Sequence, residues 1–234
     1  MAIVRVQSAQ ATTLNTPGGT TVDVVLSGVA AGNLLVVVLT IGNATAAGGT
    51  PVQTFSGPAT TWTLAKNDVG NDYVAIYYAL NVASGSYTIR GTAASATSLT
   101  IFAAEYSGPL TAGALDAVAG TSGGSSTAVD SGVTATTAQA AELVVGGASW
   151  SAVAEGSFTP TNGNSTVQSN LDGAAGAGGA MLEQIVSSTG TYRASGTLGS
   201  ADFWGAVVAT FKATTVAVGT PPRGIVTAPT YRRG

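Results

Sequence analysis

Neither cysteine nor histidine occurs anywhere in this chain, and charged side chains make up only 8% of it. The first two absences remove disulfides, thiolate and imidazole metal ligands, cysteine nucleophiles and the commonest general base together. Most hydrolase and metalloenzyme templates fail on that ground, and no cofactor or metal is expected. Aromatic residues are scarce too, at 6%, so much of the 45% hydrophobic content is Ala and Val. Side chains that small call for thin, closely layered sheets. A formal net charge of -3 spreads no basic surface over the body, which predicts no nucleic-acid partner.

Long apolar runs are also missing. The densest, "LLVVVLTI" from Leu34 to Ile41, is far shorter than the roughly 20 residues that span a bilayer, so no membrane association is expected. The opening "MAIVRVQSAQATT" alternates apolar with polar residues and lacks the apolar centre of a signal peptide. It reads as a mature start.

What is present is strand material with regular punctuation. The Leu34–Ile41 run is rich in β-branched residues and flanked by Gly32-Asn33 and Gly42-Asn43, which predicts a strand buried on both faces. Further strands are expected at Ile3–Gln7, Thr21–Leu26, Trp62–Lys66, Tyr73–Leu80, Ser86–Gly91, Ser98–Tyr106, Asp116–Gly120, Gly132–Thr136, Glu142–Ser149, Ala180–Val186, Gly190–Thr197 and Phe203–Lys212. Between them lie clusters of Gly, Ser, Thr, Asn and Pro, and no convincing amphipathic helix interrupts the series. The Gly-rich stretches "GTSGGSS" (120–126) and "GAAGAGGA" (173–180) read as mobile loops that a neighbouring molecule can order. The expected fold is all-β: one antiparallel β-sandwich or jelly-roll-like domain over 1–215, with an extended arm over 216–234.

The arm differs in kind. "VAVGTPPRGIVTAPTYRRG" holds no acidic residue, and Pro221-Pro222 and Pro229 favour extended geometry. Alone it reads as a disordered tail; docked on a partner, Ile225, Val226 and Tyr231 would be apolar anchors and Arg223, Arg232 and Arg233 would find carboxylates.

Sites for chemistry are thin. In "KNDVGND" (66–72), Asn67, Asp68, Asn71 and Asp72 offer hard oxygens of the kind calcium takes, but the same residues suit a tight turn between strands, and the turn is the preferred reading. Glu105 ends the apolar strand "LTIFAAEYSG" with no second carboxylate at a telling spacing, so a buried structural role is expected over a catalytic one. A serine nucleophile would need a base, and with no His the choice falls to Lys66 or Lys212, without a supporting motif. Aromatic rings stack on sugars; Trp62 and Trp204 are expected to fill the core, whereas Trp150, beside a Ser-rich loop, is the candidate for an exposed glycan-binding ring.

The order "GNLLVVVLTIG" (32–42), "TWTLAKNDVGNDYVAIYYALNVASGSYTIRGT" (61–92), "IFAAEYSG" (101–108), "LDAVAGTSG" (115–123), "VDSGVTATTAQAAELVVGGAS" (129–149) and "GTYRASGTLGSADFWGAVVATFK" (190–212) resembles a family of β-rich structural proteins of tailed bacteriophages and prophages. The resemblance covers the body and leaves the arm outside. It implies a non-enzymatic virion protein: a capsid decoration or head-associated protein on the particle surface, or a module of a tail or fibre. It carries no catalytic residue onto this chain. The partners expected are the major capsid protein or other virion proteins and further copies of this chain, since repeated weak contacts gain from symmetry. The alternative is a receptor-binding module for a cell-surface glycan. A polysaccharide hydrolase using two carboxylates, such as Glu105 and Asp116, ranks last.

Overall fold

The computed structural model describes residues 2–13, 20–41, 52–70, 72–93, 98–109, 112–151, 157–170 and 178–214, and every regular element among them is a β-strand. A middle sheet has the order β1 (Val4–Thr13), β8 (Leu99–Ser107), β3 (Leu34–Ile41), β6 (Tyr73–Ala79), β5 (Thr63–Val69). A small sheet has the order β2 (Thr20–Val29), β7 (Gly85–Ala93), β4 (Val52–Ser56). The large sheet runs β11 (Phe158–Pro160), β14 (Ser195–Lys212), β10 (Ala141–Trp150), β13 (Gly178–Ser187), β12 (Ser165–Asn170), with β9 (Leu115–Asp130) also paired to β14. All pairings are antiparallel.

The expected antiparallel sandwich is therefore found, with a third sheet added. Leu35, Val37, Leu39 and Ile41 of β3 pack with Val24, Leu26, Tyr87 and Ile89 of the small sheet. Leu34, Val36 and Val38 point the other way, into Leu143, Val145, Val207 and Phe211 of the large sheet. That is why the β3 run is apolar without alternation: both its faces are interior, and each such Leu or Val contributes roughly 1.5–3 kcal/mol by leaving water. Gly147 marks the closest approach of the large sheet, since a methyl there would lie 2.8 Å from Val38 and 2.9 Å from Val74. A third apolar cluster covers the outer face of the large sheet, where Val129, Ala194 and Leu198 pack with Val144, Ala148, Trp150 and Val208.

Two expectations are corrected, and three strands fall outside the expected series. The stretch 120–126 is part of the 16-residue strand β9, paired to β14, and not a mobile loop. Its small residues are needed there: a methyl on Gly123 would lie 2.3 Å from the Trp204 ring on the opposite strand. Residues 132–136 form no regular strand, and Gly132 at their start has a φ of 70°. The Thr134 and Thr137 amides do bond the carbonyls of Tyr192 and Gly190, but the returning Tyr192 and Gly190 amides bond the hydroxyls of Thr134 and Thr137 instead of carbonyls. Finally, β4, β11 and β12 are short strands lacking the long apolar pattern that reveals the others.

Candidate functional site

A grouping of three ionisable side chains spans three adjacent strands of the large sheet. Glu142 on β10 and Lys212 on β14 are register partners, so their side chains share a face, and Asp116 reaches the same place from β9 on the other side of β14. The Lys212 Nζ lies 3.5 Å from Asp116 Oδ1. Asp116 Oδ2 accepts the backbone N–H of Ala138 at 2.5 Å. The Thr137–Ala141 segment is held over this corner by Gln139, whose Nε2 donates to the carbonyls of Ala141 and Ala213 at 2.7 and 3.0 Å.

Glu142 is fully buried, and neither carboxyl oxygen makes a hydrogen bond of acceptable geometry. Thr210, Asp116 and the Gln139 backbone lie near it, and Thr210 Oγ1, which accepts the Ala117 N–H at 3.1 Å, can still donate its own proton. Burial, reinforced by the Asp116 charge and opposed by Thr210, pushes the Glu142 carboxyl up to about 7. Burial also pushes Asp116 upward, but the Ala138 amide, Glu142 and Lys212 outweigh it and hold Asp116 below its ordinary value. The two carboxyls thus separate into a proton holder and an anion, a division that favours proton transfer between neighbours.

Sequence reading found no paired carboxylates, and Asp116–Glu142 is such a pair. The available signal was weak: an acid immediately before the apolar run "LVVGGASW", and one of only two lysines closing the final strand.

Glu105 has the structural role expected. It is fully buried at the end of β8 and accepts hydrogen bonds from Gln7 Nε2 at 2.6 Å, Asn33 Nδ2 at 2.6 Å and the Ala30 amide at 2.8 Å. One carboxylate so ties the β2–β3 turn to β1 and β8 of the middle sheet. The turn expected over 66–72 is corrected in its bounds: Lys66–Val69 belong to β5 and pair with Tyr73–Ile76 of β6, and the chain reverses only after Val69, where the Gly70 amide bonds the Asp72 carbonyl at 3.1 Å. Asp72 is buried and accepts the Ser151 hydroxyl at 2.5 Å. Among the described residues no three acidic side chains gather as a metal site; Asn71 lies outside them.

The expectation for Trp150 is corrected: it is only 1% exposed and stacked on Phe158, with ring centroids 5.2 Å apart. Gly178 opposite leaves room for the indole, since a methyl there would lie 1.8 Å from Nε1. In a core this poor in large side chains an aromatic is drawn inward to fill volume. Trp204 is buried as expected, and Trp62 is half-buried, stacked on Phe55 at 4.2 Å.

Two of the surface hollows are lined by described residues. One, of about 300 Å³, is lined by Val133, Asn162, Gln184, Thr191, Tyr192 and Arg193. Arg193 there is ion-paired to Asp130. The other, of about 340 Å³, lies between Gly32-Asn33 and Gly108-Pro109 and includes Thr214. Thr214 is pinned, its amide to the Gly108 carbonyl at 2.8 Å and its hydroxyl to the Pro109 carbonyl at 3.1 Å. The arm residues Arg223, Ile225, Val226, Tyr231, Arg232 and Arg233 lie outside the described residues.

No protein-family model, curated protein or solved structure matches the chain.

Proposed function

We propose that this protein is a non-enzymatic structural component of a tailed-phage particle, a capsid decoration or head-associated protein that binds symmetric sites on the shell and stabilises it. The observation that carries this reading is the pinning of Thr214: a three-layered body ends at a fixed point, and residues 215–234, with their arginines and prolines, continue from it. A rigid body with a basic arm beyond a fixed exit suits attachment to an acidic groove on a neighbouring subunit. Edge strands support self-association: Val4 and Val6 on β1 and Leu64 and Val69 on β5 are 53%, 52%, 43% and 56% exposed. Deleting residues 216–234 tests the role of the arm: the truncated chain should fold yet fail to sediment with particles that bind the full chain. Unchanged binding would contradict it.

A second reading, a glycan-binding module of a tail or fibre, is favoured by the hollow at Tyr192. An aromatic ring beside Asn162, Gln184 and Arg193 offers both a stacking face and hydroxyl readers. Tyr192→Ala should then abolish binding on a glycan array.

A further inference from the structure

We propose that Lys212 and Asp116 condense spontaneously into an intramolecular isopeptide bond, with Glu142 carrying the proton. This inference is independent of the virion reading. The groups stand on three adjacent strands: the amine on β14, its acceptor on β9 and the proton carrier on β10. The amine nitrogen is 3.5 Å from a carboxyl oxygen of Asp116, within the range from which bonded atoms are reached by small side-chain movement. The site is largely closed to water, with Asp116 and Lys212 side chains 11% and 24% exposed and Glu142 fully buried. Closure holds back hydrolysis of the product.

Each group has a defined part in the reaction. The ion pair first becomes neutral as a proton passes from Nζ to the Asp116 carboxyl. The Nζ lone pair then attacks Asp116 Cγ, and the charge that develops on Oδ2 meets the Ala138 N–H already bonded to it. Glu142, buried beside Asp116 and in register with Lys212, gives its proton to the departing Oδ1 and regains one from the nitrogen. The N–Cγ bond forms, the Cγ–Oδ1 bond breaks, and one water leaves. Ammonium and carboxylate become amide and water, with no oxidant or other reagent required. In a chain without cysteine, this would be a covalent tie between the first residues of β9 and the end of β14.

The test uses the full chain, purified folded. Intact mass spectrometry should find it lighter than its sequence by one water. Dehydration at Asp172-Gly173 gives the same loss, so the bond must be located. A lysine-specific protease should cut after Lys66 but not after Lys212, and tandem spectra should show a branched peptide joining Lys212 to Asp116. Lys212→Arg keeps the cation but supplies no amine of this kind, and should have full mass. Glu142→Gln should lose the bond or form it at least tenfold more slowly. A folded wild-type chain at full mass with a cleavable Lys212 overturns the proposal. So does a bond that forms equally fast in Glu142→Gln.

Discussion

Glu142 and Lys212 face each other across the β10–β14 ladder, yet the carboxylate nearest the Lys212 amine is that of Asp116, arriving from β9. The cation pairs with Asp116, and Glu142 is left as the acid that keeps its proton.

A pH dependence follows from that division. The folded Glu142 carboxyl sits at about 7, against an ordinary value of 4.5 in the unfolded chain. Between these values the folded state holds a proton that the unfolded state has released, so stability falls as pH rises through the window. Asp116 acts oppositely, contributing stability above its ordinary 3.8 that is lost as pH falls through its lower folded value. In Lys212→Arg, which preserves charge and isolates the unlinked site, urea unfolding should show stability declining by about 2 kcal/mol from pH 5 to pH 8. Adding Glu142→Gln should flatten that decline. An equal slope in both would place the titrating group elsewhere.

Glu105 gives a second prediction. Replacing it by alanine strands the donors of Gln7, Asn33 and Ala30 around a fully buried site. The expected cost is about 3 kcal/mol in chemical denaturation, and Glu105→Gln should recover only part of it, because an amide offers one acceptor where the carboxylate offers two.

The third concerns the core. Gly178→Ala places a methyl where the Trp150 indole lies and should cost about 2 kcal/mol or more. Trp150 fluorescence should shift to the red as the ring is displaced toward water. A variant with native emission and native stability would mean that the strands separate at little cost.

How much of this was legible in the sequence depends on the range of the forces involved. The β3 run announces a doubly buried strand because burial acts residue by residue, and Glu105 reads correctly because a lone acid ending an apolar strand needs partners. The 120–126 run misleads: its glycines look like slack, but they are the clearance that Trp204 requires on the facing strand. Trp150 misleads for the same reason, since the room made by Gly178 belongs to another strand. The Asp116–Glu142–Lys212 group was invisible because only the β9–β14–β10 pairing register unites residues so far apart in the chain.

The measurement that bears most directly on the proposed function is the copy number of this chain relative to the major shell protein in purified particles, by quantitative mass spectrometry. A decoration role predicts a ratio approaching that of the shell protein. A handful of copies would contradict that role and favour the tail or fibre, and absence from particles would contradict the virion assignment altogether.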